Sequence, residues 1–101
     1  MTEADETAFV ELAEALIASD QPFLTTLGPF ILASRYLGIV SDTRSVARHF
    51  DVAHAHAIRE CRHLEEDVGY LSVTDKGDRS ARLFFDLTET GEKLIEGLGS
   101  P

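Results

Sequence analysis

The sequence contains one cysteine, three prolines and no tryptophan, and it has half as many Lys and Arg residues as Asp and Glu residues. The single cysteine, Cys61, excludes an internal disulfide framework and gives no sign of an oxidising compartment. Hydrophobic residues at 44% and charged residues at 27% are ordinary for a folded domain, which excludes disorder and collagen-like repeats. A chain of 101 residues has room for one domain.

Long apolar runs are also lacking: none approaches the roughly 20 residues that a membrane-spanning helix needs. The first residues, MTEADET, are acidic and do not have the basic and apolar regions of a secretory signal. We therefore expect a cytoplasmic protein with no membrane partner. No phosphate-binding glycine loop and no nucleophile–base pair is visible in the sequence. We expect neither an enzyme nor a bound cofactor.

The net charge of −9 is distributed unevenly along the chain. Residues 1–34 contain six acids and no Lys or Arg, whereas residues 35–82 contain eight bases and eight acids. All four histidines also lie in this middle part. The acidic total argues against a nucleic-acid partner, but the concentration of basic groups in one segment argues for such a partner there.

Two helices are predicted before the middle segment. Apolar residues at helical spacing indicate a helix from about residue 6 to 19, and a second helix follows within residues 22–38. Pro29 fits the first turn of that helix, and Gly38 fits its C-terminal cap. We expect residues 1–38 to support the core and to form a dimer contact. The residues expected in dimerisation lie on the apolar stripe of the first helix: Phe9, Leu12, Leu16 and Ile17.

A helix-turn-helix is predicted next. Asp42 and Thr43 indicate the N-terminal cap of a helix that ends near Phe50. Asp51 then occupies a turn position that often requires a left-handed backbone, which aspartate tolerates better than most residues. The following helix is expected from about residue 53 to 67. Its buried stripe is predicted to consist of Ala57, Cys61, Leu64 and Val68.

A β-hairpin and a last helix complete the pattern. YLSV and RLFFDL predict two strands joined by the turn DKGDRSA, and Thr88 predicts the cap of the final helix. The order of helix, helix, helix-turn-helix, hairpin and helix is that of a winged helix. The expected fold class is therefore α+β, mainly helical with a small β-hairpin wing. Residues 39–101 would form the winged helix-turn-helix, in one structural domain with residues 1–38.

The sequence from roughly Ile39 to Leu98 resembles the MarR family of winged-helix transcriptional regulators. SVARHFDV is similar to the first helix and turn of that family, and CRHLEEDVGYL to the end of its recognition helix. DKGDRSARLFFDLTETG resembles its wing and is the most specific of the three stretches. Asp51 and Ala53 depart from the family, which usually has a glycine and often a capping serine there. The resemblance implies a homodimeric, sequence-specific regulator of double-stranded DNA that represses by occlusion.

Specific residue types on the second helix and the wing point to DNA. Arginine can bind guanine through two hydrogen bonds, and histidine and arginine also reach phosphate oxygens. The resemblance implies that Arg79 enters a minor groove, that Lys76 contacts phosphates and that Asp78 braces the wing. The candidate DNA-binding residues are His54, Ala55, His56, Arg59, Arg62, Lys76, Arg79 and Arg82.

The histidines and the cysteine also allow other interpretations, namely a metal site, a pH response and a redox sensor. His56, Glu60 and His63 share one helix face, but three ligands along one helix rarely close a metal site, so we expect no metal. A pH-dependent DNA affinity is favoured over a metal, because protonated histidine adds positive charge near phosphates. Cys61 lies on the buried stripe, which favours an inert core thiol over a redox sensor.

The alternative function is a winged-helix protein-interaction module, either an adaptor or an inhibitor. The net charge of −9 and the absence of a lysine-rich arm favour this alternative, in which the acidic surface engages a basic partner. A continuous positive strip across helix and wing would favour DNA instead. The sequence identifies no small-molecule effector.

Overall fold

The computed structural model describes residues 3–77 and 79–99, which form five helices and one β-hairpin. The predicted class, α+β with mainly helical structure and a small hairpin, is confirmed. No helix within the described ranges is long and apolar enough to cross a membrane. The helices are α1 (Glu3–Ala18), α2 (Leu27–Tyr36), α3 (Thr43–Phe50), α4 (His54–Glu66) and α5 (Glu89–Gly99), and the strands are β1 (Leu71–Asp75) and β2 (Leu83–Leu87).

The stripe of α1 that was expected to dimerise is divided between the core and the surface. Leu16 is 0% exposed within the hydrophobic core, and Phe9 and Leu12 are partly buried against that core. Ile17 is 47% exposed. The apolar face of α1 is therefore used mainly by the chain itself, and Leu16 has no surface to offer to a second copy.

Helix α2 begins two residues before Pro29, in agreement with the sequence. Pro29 lies in its first turn, where the missing backbone N–H of proline costs no hydrogen bond. A Cβ atom at Gly28 would lie 2.9 Å from the Phe23 ring, which explains why this position is a glycine. Residues 19–26, the α1–α2 loop, connect the two helices and pack against α4.

Helices α3 and α4 are joined by a tight turn, as predicted. The Asp42 carboxylate accepts a hydrogen bond from Ser45 N at 2.7 Å, and Ser45 Oγ accepts one from Asp42 N at 3.2 Å, which forms a capping box. Asp51 has φ 53° and ψ 53°, the predicted left-handed conformation. The N-terminal cap of α4, Ala53, makes no side-chain hydrogen bond.

The hairpin is fixed to the helices on one of its edges. Strands β1 and β2 are antiparallel, with Leu71 opposite Leu87 and Asp75 opposite Leu83. On the other side of β2, Phe84 forms an isolated antiparallel bridge with Asp42. Because Asp42 also caps α3, this bridge joins the hairpin to the start of α3.

Helix α5 packs against the residues that precede the hairpin. Thr88 Oγ1 donates a hydrogen bond to Gly69 O at 2.6 Å and accepts one from Gly91 N at 3.1 Å. A Cβ atom at Gly91 would collide with the Tyr70 carbonyl oxygen. The spacing of threonine and glycine in LTETG thus has a packing cause. Thr88, which caps α5, and Gly91, which lies close to the Tyr70 carbonyl, are on the same helical turn.

The core lies between α1, α2 and α4 and is closed by the hairpin and α5. Three of the four residues predicted on the buried stripe of α4 are fully buried, namely Ala57, Cys61 and Leu64, and Val68 is half-buried. Burial, followed by the nearby Glu60 charge, raises the pKa of the Cys61 thiol to about 12. The thiolate that redox chemistry requires is therefore disfavoured, which supports a structural role.

Candidate nucleic-acid interface

One stripe of α4 faces outward. Ala55, Arg59 and Glu66 are exposed, and Arg62 shares their face because the four positions follow each other at i, i+4, i+7 and i+11. Within the described residues, no hydrogen bond or ion pair holds the Arg59 side chain. Arg59 is therefore able to reach a partner along the outward side of α4.

Arg62 is less available, although 42% of its side chain is exposed. Its Nη1 atom lies 3.1 Å from Glu65 Oε1, and Glu65 Oε2 accepts a hydrogen bond from Val73 N at 3.0 Å. The Arg62–Glu65 pair thus connects α4 to β1. The structure places Arg62 on the predicted face, but with its charge already compensated.

His54 links the start of α4 to the hairpin. Its Nε2 atom lies 2.8 Å from Thr43 Oγ1, which also accepts a hydrogen bond from Leu83 N at 3.0 Å. Burial lowers the pKa of His54, the nearby Arg44 lowers it further, and Asp42 opposes these effects. Neutral His54 therefore contributes a hydrogen bond more readily than a positive charge.

His56 lies on a different side of α4 from Arg59. Its Nε2 atom is 3.4 Å from Thr25 Oγ1 and 3.5 Å from Glu60 Oε1, so it faces the α1–α2 loop. Ala55, the neighbouring candidate, is exposed on the outward stripe. The structure thus separates His54, Ala55 and His56, which the sequence grouped together, onto three sides of one helical turn.

A basic groove lies between α3, the start of α4 and the hairpin. The groove is open, has a volume of about 580 Å³, and no acid is among the described residues that line it. Arg44 Nη2 lies 3.5 Å from Ser80 O, so this arginine reaches across from α3 to the hairpin. The groove therefore gathers basic side chains in a protein whose net charge is −9. Its lining residues are Arg44, Ala47, Arg48, Val52, His54, Ser80 and Arg82.

The basic residues of the hairpin are held by an aromatic ring. Lys76 Nζ lies 4.4 Å from the centre of the Phe84 ring, and the Arg82 guanidinium carbon lies 5.4 Å from it. Arg82 Nη1 is also 3.6 Å from Asp42 Oδ2. Arg79 is exposed near the tip of the hairpin. Asp78, which was expected to brace the wing, lies outside the described residues.

Two arginines of this surface were not among the predicted site residues. Arg44 and Arg48 are exposed on α3 and line the basic groove. A signal for them was present, because positions i and i+4 of a helix share one face and the apolar residues Val46 and Phe50 occupy the other. What the sequence lacked was the proximity of the hairpin, which turns this helix face into a groove wall.

No group of three or more His, Cys, Asp or Glu residues in the described ranges is arranged to hold a metal ion. His56 and His63 make hydrogen bonds to the α1–α2 loop instead. Comparisons with known proteins found no matching family, no matching curated protein and no matching solved structure. The residues themselves therefore carry the functional argument.

Proposed function

We propose that this chain is a winged-helix, sequence-specific double-stranded DNA-binding regulator, related in type to the MarR-like regulators that its sequence resembles. In this proposal it acts in the cytoplasm as a homodimeric repressor and needs no cofactor. The observation that carries the proposal is the basic groove, which has three arginines and no acid among its described lining residues and joins α3, α4 and the hairpin in an otherwise acidic protein.

Phosphate contacts are assigned to the groove and the hairpin. Arg44 and Arg48 lie on its α3 wall, while Lys76 and Arg79 lie at or near the hairpin tip. Cations on two separate elements would contact phosphates on both sides of a major groove and so fix the position of the protein on the duplex. His54 and Arg82 support this arrangement from within the groove.

Base recognition is assigned to Arg59. It is exposed on the outward stripe of α4, and Ala55, one turn before it, leaves room for a base edge to approach. A free guanidinium can bind the O6 and N7 atoms of guanine through two hydrogen bonds. Arg62 would contribute less, because it pairs with Glu65.

The homodimer is proposed on general grounds of DNA recognition. Two copies place two recognition helices about one helical turn of DNA apart, and this doubles the contact surface on a palindromic site. The outer face of α1 retains Val10 at 49% and Ile17 at 47% exposure, two turns apart. We propose these two residues for the contact between copies, in place of the buried Leu16.

Selection of bound sequences from random duplex DNA, followed by a salt titration on the best site, tests the proposal. We expect a palindromic consensus and an affinity that falls steeply with salt. The double substitution Arg59→Ala/Arg79→Ala should reduce affinity at least about tenfold. Arg48→Ala should make the slope of log affinity against log salt concentration shallower by about one for each copy of the chain. Lys93→Ala, which removes a positive charge on α5, is the matched control. Enrichment of no sequence at low salt would refute DNA binding.

A second candidate function is a protein-interaction module. Residues 1–34 contain six acids and no Lys or Arg, and the exposed Val10 and Ile17 lie in this region. An acidic surface with apolar residues fits a basic protein partner. The DNA selection separates the two functions, since the module would enrich no sequence.

A further inference from the structure

A second polar stripe of α4, the inward stripe, contacts the α1–α2 loop through three of its four residues. Its members His56, Glu60, His63 and Asp67 follow each other at i, i+4, i+7 and i+11, the last directly after the helix. Thr25 Oγ1 donates a hydrogen bond to Glu60 Oε1 at 2.5 Å. His63 contacts the same loop through the Pro22 carbonyl oxygen. Two of the hydrogen bonds between the loop and α4 thus involve titratable side chains of this stripe.

Among the residues of this stripe, His63 makes contacts that require a particular protonation state. Its Nε2 atom lies 2.6 Å from Pro22 O, and its Nδ1 atom lies 2.6 Å from Asp67 Oδ2. A carbonyl and a carboxylate oxygen only accept hydrogen bonds, so each ring nitrogen must donate one. A neutral imidazole carries a single N–H, whereas the imidazolium carries two. The His63 side chain is 10% exposed, whereas that of its partner Asp67 is 65% exposed.

We propose that His63 is a proton-dependent connection between α4 and the α1–α2 loop. In its doubly protonated form, it holds the C-terminal half of α4 against Pro22, and loss of one proton breaks one of its two contacts. Because α4 also carries Arg59, loss of this contact alters the position of the outward stripe relative to bound DNA. The effect on DNA rests on the proposed function, whereas the connection itself does not.

The charges around the ring favour the protonated form. The hydrogen bond to Pro22 O raises the pKa of His63, burial opposes it, and Asp67 and Glu60 raise it further. Both acids lie on the α4 stripe, and the loop contributes the neutral Pro22 carbonyl. None of the described groups that shift this pKa is a cation.

The direction of the pH dependence follows from this pKa. A histidine whose pKa is raised by folding contributes stability that is complete below its ordinary value of 6.5. That contribution is lost as the pH rises through the raised pKa of the folded protein. Each unit of the shift corresponds to a tenfold change in the equilibrium between the connected and released states. The loop should therefore be held more firmly below pH 6.5 than above the raised pKa of His63.

The experiment combines two measurements on the full chain: NMR titration of the His63 ring, and hydrogen exchange of the loop amides corrected for the intrinsic effect of pH. We expect a His63 pKa above 6.5 and loop protection that falls with the same midpoint. His63→Gln should abolish that pH dependence, and Asp67→Asn should move the midpoint to lower pH. His49→Gln, which removes an exposed histidine of α3, should leave both unchanged. A His63 pKa at or below 6.5, or pH-independent loop protection, overturns the proposal.

The consequence for DNA is tested separately on the selected site. In the unmodified protein, the affinity for DNA should fall as the pH rises through the titration midpoint of His63. In His63→Gln, this pH-dependent fall in affinity should be absent. If the ring and the loop titrate together while affinity does not follow, the regulatory part of the proposal is refuted. If no DNA sequence is bound at any pH, the proposed function fails, and the two measurements on the free chain still decide whether the connection exists.

Discussion

The two stripes of α4 have the same spacing, but their residue types and their surroundings differ. The outward stripe of Ala55, Arg59, Arg62 and Glu66 is open to solvent. In the inward stripe, His56, Glu60 and His63 face the α1–α2 loop, and Asp67 at its end is exposed. Glu66 is exposed, and Glu60 is 0% exposed. A polar stripe on a helix therefore does not by itself indicate a surface for a partner.

The difference has a physical basis in the loop. Pro22 and Thr25 present a carbonyl oxygen and a hydroxyl group to α4, which compensate part of the cost of burying polar side chains. The compensation is incomplete, because Glu60 Oε2 is buried without a hydrogen-bond partner among the described residues. The inward stripe thus serves the fold, and the outward stripe remains available for binding.

Removing one carboxylate from each stripe should give the largest difference. Glu60→Ala is expected to lower the free energy of unfolding by about 2 kcal/mol, because it leaves a cavity and removes the hydrogen bond from Thr25. Glu66→Ala, its exposed counterpart, should change that free energy by no more than about 0.5 kcal/mol. Urea unfolding of both variants checks the comparison. Equal effects would contradict the assignment of the two stripes.

Within the outward stripe, the two arginines should differ in their effect on DNA. Arg59→Gln is expected to weaken binding to the selected site about tenfold, since a single base contact is worth roughly 1–3 kcal/mol. Arg62→Gln should cost about twofold, because its guanidinium already pairs with Glu65. Fluorescence anisotropy on a labelled duplex measures both affinities. A larger loss for Arg62→Gln would reverse the proposed roles.

The smallest expected effect concerns the pH dependence of stability, in which His54 and His63 should act in opposite directions. Burial and Arg44 lower the pKa of His54, so folding favours its neutral form. Stability is then lost as the pH falls below about 6.5. His54→Gln should therefore lose less stability between pH 7.5 and pH 5 than the unmodified protein, as measured by urea unfolding at about these two values. If His54→Gln lost more stability at acidic pH than the unmodified protein, burial and Arg44 would not be the cause of the lowered pKa of His54.

Much of the fold was predictable from local chemistry. The capping box of Asp42 and Ser45, the left-handed Asp51 and the start of α2 near Pro29 all depend on residues close in the sequence. Apolar spacing likewise indicated which side of α4 is buried. Part of the candidate site followed in the same way, since Arg59 and Arg79 are exposed as expected.

The remaining features depend on contacts between distant residues. His56 was grouped with the DNA-binding candidates, but Thr25, 31 residues away, draws it toward the loop. Arg44 and Arg48 were not predicted, because only the folded chain places the hairpin opposite them. Leu16 was predicted to bind a second copy, and the chain's own core encloses it.

The sequence alone determined the order of elements, the turns and the buried faces, because helical spacing, capping and backbone preferences act over a few residues. Only the tertiary structure decided which polar side chains face partners within the chain and which face solvent. Charge and hydrogen-bonding capacity are properties of a residue, but their availability depends on what lies within about 3 Å of them. That is why two stripes with the same spacing on one helix came to have different roles.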